Sequence, residues 1–377
     1  MSFFLIIFFL VYGVFHLYGF AKVKAAFKPG VLISVCLAAF MIIMVLAPVA
    51  IRLSERAGAE GFARSMSYVG YIWMGTLLIF VCTNIVIDIL RLVLHGLAYV
   101  LGRDWSSLVS AHKCFLLVSL AVSLLVTAYG YYEAGRIRME RVVIRTDKIP
   151  ANPGKLRIVQ ISDVHIGLII GKGKLERLVE EIRKAEPDIL VSTGDLVDGQ
   201  LDSVETLSGL LKTINPPLGK FAVTGNHEYY AGLPRAIRFT EKAGFKMLRG
   251  ESVTIPGAIT IVGIDDAMGR NSSQREGIAE RSLLWGGERK AFTLLLKHRP
   301  IVNEGAVGFF DLQLSGHTHK GQIFPFGLIV RLSFPLLSGY YDLPGGSCLY
   351  VSRGVGTWGP PVRFLAPPEV TLIELVR

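Results

Sequence analysis

The stretch Leu156-Arg-Ile-Val-Gln-Ile-Ser-Asp-Val-His165 decides the fold of the second half of the chain. Its apolar, β-branched run predicts a buried strand, and the strand ends in Asp163 and His165. Because side chains alternate along a strand, two residues that are two positions apart leave the same face. A carboxylate and an imidazole on one face are part of a metal site, and other strand ends must supply the remaining ligands.

The apolar residues of the chain concentrate before residue 132. The 377 residues are 51% hydrophobic, which is too apolar for an ordinary soluble protein. Each apolar stretch of this region has at least about the 20 residues that one membrane crossing needs, and the stretch 69–100 is longer. We predict spans at 2–20, 31–51, 69–100 and 114–132, hence a membrane domain over residues 1–134, although two long helices would also fit.

The charge distribution argues against a nucleic-acid partner. Residues 1–149 hold 14 Lys and Arg against 7 Asp and Glu, whereas residues 150–377 hold 26 against 23. A nucleic-acid-binding protein concentrates basic charge on its folded domain, and this chain does not. Basic residues between apolar spans instead set topology and contact anionic membrane lipids. The four cysteines form no CxxC pair, which excludes a cysteine-based zinc motif.

The side of the membrane follows from competing signals. The uncharged start and the loop with Lys22, Lys24 and Lys28 favour an outside N-terminus, which with four spans puts the C-terminal domain outside. Arg136 and Arg138 after the last span favour the opposite side. We predict a multi-pass cell-membrane protein with an extracytoplasmic C-terminal domain.

One predicted span carries polar residues on a single helical face: Asn84, Asp88, Arg91 and His95. Ionisable residues inside a membrane often have a function, such as lining a polar path or binding a lipid headgroup. The alternative, which we favour, is an Asp88–Arg91 pair that satisfies itself inside the helix bundle.

After the spans, residues 135–154 are charged and proline-containing, which predicts a linker before a domain over residues 155–377. Strand and helix patterns then alternate, and this alternation predicts a largely parallel, buried sheet. Predicted strands lie at 156–162, 188–194, 220–225, 259–264, 292–297, 312–315, 348–352 and 370–375, with helices around 175–182 and 207–214.

Polar signatures follow five of these strands. They are Asp163-Val-His165, Gly194-Asp-Leu-Val-Asp198, Gly225-Asn-His-Glu228, Lys297-His-Arg299 and Gly316-His-Thr-His319. Open α/β sheets bind ligands at the carboxyl ends of their strands, where all five signatures fall. Every one of the five histidines after residue 150 belongs to a signature. Histidines scattered through a core or over a surface would not all fall in these motifs.

The residue types indicate the chemistry. Carboxylate, amide oxygen and imidazole ligands suit Mn, Fe or Zn. Two such ions about 3.5–4 Å apart can hold both the attacking and the leaving oxygen of a phosphoryl displacement. Seven ligands that share one carboxylate would make two sites of four.

The order Asp-x-His, Gly-Asp-x-x-Asp, Gly-Asn-His-Glu, His, Gly-His-x-His resembles the calcineurin-like metallophosphoesterase superfamily. The run from Ser352 to Glu369 is similar to its membrane-attached bacterial phosphohydrolase branch. The resemblance covers residues 155–377. It implies an α/β domain built as a four-layer α-β-β-α sandwich with a centre of two divalent metal ions, after N-terminal transmembrane helices.

The resemblance also implies roles for individual residues. One metal would be held by Asp163, His165, Asp195 and His319, and the other by Asp195, Asn226, His298 and His317. His227 would be the general acid or a donor to the transition state. Asp198 and Glu228 would orient ligands; a helix N-terminal acid is the alternative for Asp198.

Three further features concern the substrate. Lys320 replaces the glycine common after Gly-His-x-His in that branch, and Lys320 and Arg353 are weak candidates for phosphate binding. The alternatives are a solvated lysine and a structural ion pair. The segment 322–341 is apolar beside the predicted site; it would rest on a bilayer, admit an acyl chain, or, as we favour, pack on the domain's own core.

These features predict a membrane-tethered phosphoesterase that hydrolyses a phosphomonoester, phosphodiester or pyrophosphate, with a lipid or cell-envelope precursor as substrate. A more specific alternative is a pyrophosphatase of a UDP-2,3-diacylglucosamine type. Alternatives of another class are a non-catalytic receptor or scaffold, and a transporter with a regulatory hydrolase domain.

Overall fold

The computed structural model describes residues 2–105, 110–152, 154–199, 205–269, 280–284 and 291–377. The chain divides into two compact units. One comprises Met1–Tyr132 with Gly359–Phe364, and the other comprises Glu133–Trp358 with Leu365–Arg377.

The first unit contains four long apolar helices, one for each predicted span. They are α1 (Ser2–Phe27), α2 (Val31–Arg56), α3 (Glu60–Leu101) and α4 (His112–Ala134). All four are long and apolar enough to cross a membrane. Helix α3 has 42 residues, a length of roughly 60 Å, so it extends well beyond the hydrocarbon thickness of a bilayer.

The predicted polar face of α3 is paired within this unit. Asp88 forms ion pairs with Lys22 of α1 and, at 3.6 Å, with Arg91. The Tyr18 hydroxyl donates a hydrogen bond to Asp88 at 2.6 Å. These contacts match the structural alternative, in which the charges satisfy each other inside the bundle.

The second unit is built on two six-stranded sheets, as the predicted α/β sandwich requires. The first sheet has the order β1-β12-β2-β3-β4-β5 and the second β10-β11-β9-β8-β7-β6. The strands are β1 (Arg138–Arg145), β2 (Lys155–Ile161), β3 (Ile189–Ser192), β4 (Lys220–Ala222), β5 (Lys246–Met247), β6 (Glu251–Thr254), β7 (Ile259–Ile264), β8 (Phe292–Lys297), β9 (Leu312–Ser315), β10 (Gly339–Asp342), β11 (Cys348–Val351) and β12 (Glu369–Val376).

The second unit also contains five helices whose bounds lie within its described residues. They are α5 (Lys172–Lys184), α6 (Ser208–Lys212), α7 (Asn226–Tyr230), α8 (Leu233–Lys242) and α9 (Phe326–Ser333). Leu175 and Ile182 of α5 pack with Val159 and Ile161 of β2 in a core on the outer face of the first sheet. Residues 283–284, in a short helical segment, pack on the outer face of the second sheet.

The core between the sheets follows from strand alternation. Ile158 and Ile189 of the first sheet pack with Ile261 and Leu294 of the second, and all four are fully buried. Successive residues of β2 point to opposite faces, so Val159 joins the helix-side core while Ile158 joins the core between the sheets. Both faces of the strand are therefore buried, as its continuous apolar sequence predicts.

Where the sequence predicted a linker, the structure has an edge strand. Strand β1 pairs in parallel with β12, from Arg138 opposite Glu369 to Arg145 opposite Val376. Its residues alternate between exposed and half-buried. An edge strand tolerates many charged residues, and this high charge is the feature that resembles a linker.

The topology brings the predicted motifs to one region. Strands β2, β3 and β4 are parallel neighbours in the first sheet, and β8 and β9 are parallel neighbours in the second. Each of these five strands ends just before one of the five signatures. Their carboxyl ends form the floor of the candidate site.

Candidate metal centre

Three buried side chains from two strand ends form the first cluster of ligand atoms. Asp163 and His165 follow β2, and His319 follows β9; their ligand atoms lie within 4.8 Å of one another. His165 Nε2 is 3.1 Å from His319 Nε2, and His319 Nε2 is 3.5 Å from Asp163 Oδ1. The three groups converge on one point, as the ligands of a single ion do.

A second cluster of the same size contains Asp195, His298 and His317. His298 Nε2 lies 3.2 Å from Asp195 Oδ2 and 3.2 Å from His317 Nδ1. Asp195 Oδ2 is also 3.9 Å from His165 Nε2 of the first cluster. Asp195 thus lies between the two clusters and forms a third group of ligand atoms with His165 and His227.

Asn226 supplies an independent indication of a ligand. Its side-chain Oδ1 is buried and has no hydrogen-bond partner in the described part of the protein. A buried amide oxygen without a partner costs about 1–3 kcal/mol. A bound cation would satisfy this oxygen, and oxygen ligands of this kind suit the metals predicted from the sequence. The residues present therefore fit a centre with two divalent ions.

Strained backbone marks the same residues. Ten non-glycine residues of the described chain have positive φ, and five of them are predicted ligands: Asp163, His165, Asp195, His317 and His319. Their φ angles lie between 48° and 71°, a region that costs a non-glycine residue free energy. Strain of this kind is found where the surrounding structure holds functional groups in place.

Glu228 holds the loops that carry two of these ligands. Its carboxylate accepts hydrogen bonds from the backbone N–H groups of Asp195 at 3.0 Å, Leu196 at 2.8 Å and Gly225 at 2.6 Å. Burial, together with the Asp195 carboxylate, raises the pKa of Glu228. The contacts are those of a residue that positions the ligand loops, the role predicted for it.

Asp198 lies between two imidazole rings. Its Oδ1 is 2.8 Å from His227 Nδ1 and 3.4 Å from His165 Nδ1. This contact fixes His227 by its Nδ1, so Nε2 is the nitrogen that can serve a substrate. A carboxylate oxygen that contacts both rings is the arrangement that the predicted orienting role requires.

The charges of the site's own side chains compensate each other. Burial lowers the pKa of His298, but the Asp195 carboxylate outweighs burial and raises it to about 10. Burial and the neighbouring His298 lower the pKa of His317 to about 2. Although burial opposes the shift, His298 and His227 hold the pKa of Asp195 well below its usual range. The Asp195 carboxylate and the His298 imidazole thus each favour the charged form of the other.

Two aromatic residues beside His227 were not among the predicted site residues. The ring of Tyr230 is 5.1 Å and that of Trp358 is 6.3 Å from the His227 ring. Gln322 holds Trp358 by hydrogen bonds to its backbone N–H at 2.8 Å and carbonyl at 3.1 Å. No motif marks Trp358, because its position depends on a contact across 36 residues of chain.

Position 225 requires a glycine because the Asp195 carboxylate lies too close to leave room for a side chain. A Cβ atom there would overlap Asp195 Oδ1 and lie 2.7 Å from Asp195 N. We expect Gly225→Ala to cost about 3 kcal/mol of stability by overpacking, or to push the carboxylate out of place. Thermal unfolding and metal content of the purified full chain would measure the two effects.

Gly171 offers a matched control for Gly225→Ala. Both glycines precede a helix in extended backbone, with φ −101° at Gly171 and −104° at Gly225. A Cβ at Gly171 would have no atom within 4 Å, so Gly171→Ala is expected to cost at most about 1 kcal/mol as a helix N-cap change. Equal effects of both variants would contradict the steric argument.

The two candidate phosphate-binding cations have different surroundings. Arg353 pairs with Glu140 and, at 2.6 Å, with the buried Glu369. Arg353 Nε also donates to the Pro367 carbonyl at 3.0 Å. These contacts match the structural alternative given above. Lys320 is exposed directly after His319, and no ion pair joins it to a described residue.

A pair of substitutions separates the two roles. Arg353→Met leaves Glu369 buried without its cation, which we expect to cost about 3 kcal/mol and to lower the melting temperature by roughly 6 °C or more. Lys320→Met removes an exposed charge and is expected to change stability by less than about 0.5 kcal/mol while raising KM for a phosphate ester. A stable Arg353→Met protein with raised KM would instead indicate phosphate binding.

The prediction that segment 322–341 packs on the domain's core is wrong for its helix. Ile323 is buried, but no residue of α9 is. Three of its four aliphatic side chains, Leu328, Ile329 and Leu332, are each at least 60% exposed. Apolar composition alone does not tell which side of a helix faces the protein.

Comparison with known proteins shows which family the chain resembles. A family model described as calcineurin-like phosphoesterase matches residues 156–321. An "uncharacterized metallophosphoesterase" of Aquifex aeolicus is 41% identical over 255 residues, which cover 67% of this chain and 97% of that protein. A protein of the same description from Helicobacter pylori is 34% identical over 299 residues, covering 78% of this chain and 80% of its own length.

The chain is also similar to a protein whose name describes it as a transmembrane protein. The "transmembrane protein with metallophosphoesterase domain" of Danio rerio is 30% identical over 270 residues, covering 68% of this chain and 62% of that protein. This likeness and the four apolar helices both indicate membrane association. With its two sheets and clustered ligand residues, the chain belongs to the calcineurin-like metallophosphoesterase family and is a metal-dependent phosphohydrolase.

Proposed function

We propose that the protein is a membrane-tethered phosphohydrolase whose centre takes two divalent ions. Asp163, His165, Asp195 and His319 would hold one ion, and Asp195, Asn226, His298 and His317 the other. The observation that carries this proposal is the pair of ligand clusters that meet at Asp195. When bound, such ions polarise a phosphoryl group and activate water.

The protein's own side chains orient the predicted ligands and supply a proton or hydrogen bond to the substrate. Asp198 fixes His227 through Nδ1, which leaves His227 Nε2 to donate a hydrogen bond or a proton to an oxygen of the substrate. Glu228 holds the backbone of Asp195 and Gly225 through three N–H groups. This support keeps the shared carboxylate in one orientation, which a preorganised site requires.

The broad test is hydrolysis by the full chain in nanodiscs. Purified protein would be loaded separately with Mn²⁺, Zn²⁺ or Fe²⁺ and given p-nitrophenyl phosphate, bis-p-nitrophenyl phosphate and phosphatidic acid. We expect turnover of at least one ester, lost in the His227→Ala variant and after chelation. Hydrolysis that is unchanged in His227→Ala would contradict the assignment of the site.

A second candidate substrate is an acylated sugar diphosphate, as in a UDP-2,3-diacylglucosamine-type pyrophosphatase. The observation that favours it is the exposed apolar helix α9, seven residues after His319. Protein that cleaves the simple diester but leaves this glycolipid intact would count against it. We also propose that the second unit lies on the extracytoplasmic face of the membrane. A cysteine introduced in α5 would then react with a membrane-impermeant label in intact cells.

A further inference from the structure

Helix α9 exposes the face that a soluble protein would bury. Leu328 and Ile329 are each 60% exposed and Leu332 is 84% exposed. No residue of this eight-residue helix is buried. A surface helix of a globular protein normally turns its apolar stripe towards the core. In α9 these three aliphatic side chains instead point away from the core.

Two glycines explain how the helix is held in this orientation. A Cβ on Gly327 would lie 2.9 Å from the Lys320 carbonyl, and a Cβ on Gly321 would overlap Gly327. The helix therefore packs on the domain backbone to backbone at Gly327, where it carries no side chain. At 3.6 residues per turn, Gly327 lies opposite the face formed by Leu328, Ile329 and Leu332. The same packing that fixes the helix presents its aliphatic face to the surroundings.

The helix is joined closely to the metal centre. Phe334, the first residue after α9, contacts the His317 ring at a centroid distance of 4.9 Å. The Thr318 hydroxyl donates to the Leu337 carbonyl at 2.6 Å. A surface that covers α9 is therefore brought next to the predicted ligands His317 and His319.

The charge of this surface fits a lipid interface. The sequence contains no Asp or Glu from residue 320 to residue 341, but it contains Lys320 and Arg331, both exposed. Apolar side chains flanked by basic ones are typical of helices that lie in the plane of a bilayer with anionic lipids. Only residues 135–137 separate the last apolar helix from strand β1, so insertion of that helix in a bilayer would tether this unit to the membrane.

We propose that α9 lies in the boundary between lipid headgroups and acyl chains, with Leu328, Ile329 and Leu332 in the acyl region. Arg331 and Lys320 then contact lipid phosphates. The surface helix is thus a bilayer contact in its own right, separate from the four apolar helices. On the proposed function, this contact presents membrane phosphate esters to the metal centre.

Accessibility of a spin label tests the contact without using activity. The full chain, with Cys36, Cys82, Cys114 and Cys348 replaced by serine, would carry a nitroxide at Leu332→Cys in nanodiscs of phosphatidylcholine and phosphatidylglycerol. The control is Glu180→Cys on α5, whose side chain is 66% exposed. We expect the label at position 332 to collide more with oxygen than with a nickel chelate, and the label at 180 to show the reverse.

Each alternative result overturns the proposal. A label at 332 that behaves like the label at 180 shows a helix exposed to water. A label at 332 that neither reagent reaches shows a helix covered by protein, such as a second copy of the chain. The same measurement at Leu328→Cys guards against a disturbance caused by one label, and a disagreement between the two sites also counts against insertion of this face.

A kinetic comparison tests the consequence for catalysis. Replacing Leu328, Ile329 and Leu332 by serine changes only exposed side chains, so the fold should be retained. We expect phosphatidic acid in nanodiscs to be hydrolysed about tenfold or more slowly, with bis-p-nitrophenyl phosphate unaffected. Equal loss on both substrates contradicts the proposal. Absence of hydrolysis in the parent protein contradicts the proposed function alone, because the spin-label result stands independently.

Discussion

Asp195→Asn is expected to reduce hydrolysis more than any other single conservative substitution in the site. Its Oδ2 lies 3.2 Å from His298 Nε2 and 3.9 Å from His165 Nε2, while Oδ1 accepts a hydrogen bond from the His227 backbone N–H at 2.8 Å. An asparagine must place its NH₂ group either against that N–H or at the point shared by the two clusters. Loss of an outer partner of a metal ligand costs about 10–100-fold, and loss of the shared carboxylate should exceed that range.

Metal content gives the direct readout for this substitution. The wild-type chain is expected to bind two ions, and the Asp195→Asn protein at most one, by elemental analysis after gel filtration. Asp188→Asn is the matched control, because Asp188 Oδ2 also accepts a backbone N–H, from Arg157 at 2.7 Å, but outside the clusters. Two bound ions and nearly normal turnover in Asp195→Asn would remove Asp195 from the centre of the mechanism.

The sequence predicted the strands that carry the site because their local pattern is sufficient. A strand buried on both faces, such as β2 or β8, is a continuous apolar run, and the polar residues that end it stand out. The order of the strands does not follow from such patterns. Strand β12, at the end of the chain, pairs with β2 in antiparallel and with β1 in parallel. That arrangement depends on contacts across more than 200 residues.

The contacts around the predicted ligands were less predictable than the ligands themselves. Glu228 was assigned an orienting role, but its backbone donors come from two different loops. Trp358 reaches the site through Gln322. Helix α9 was expected to bury its apolar face, and the glycine contact at Gly327 turns that face outward instead. In each case a tertiary contact, and not a local preference, decides the outcome.

His227→Ala is expected to lower kcat about 10²–10⁴-fold, the usual contribution of a positioned acid or base, without loss of metal. His227 is buried beside Asp195 and held by Asp198 at 2.8 Å. It is not among the seven predicted ligands, although its ring also lies within ligand distance of His165 and Asp195. Asp198→Asn retains the imidazole and weakens only its orientation, so a smaller loss of about 10–100-fold is expected. A larger loss in Asp198→Asn than in His227→Ala would contradict this order.

The dependence on the leaving group distinguishes the two roles open to His227. If the imidazolium protonates the leaving oxygen, the loss in His227→Ala will be large for an alkyl phosphate ester and small for a p-nitrophenyl ester, whose leaving group needs no proton. If His227 instead donates a hydrogen bond to a phosphoryl oxygen, the loss will be similar for both esters. Because Asp198 holds Nδ1 and leaves Nε2 for the substrate, either role uses the same nitrogen. A loss confined to KM, with kcat unchanged for both esters, would exclude both roles and leave His227 as a residue for substrate binding alone.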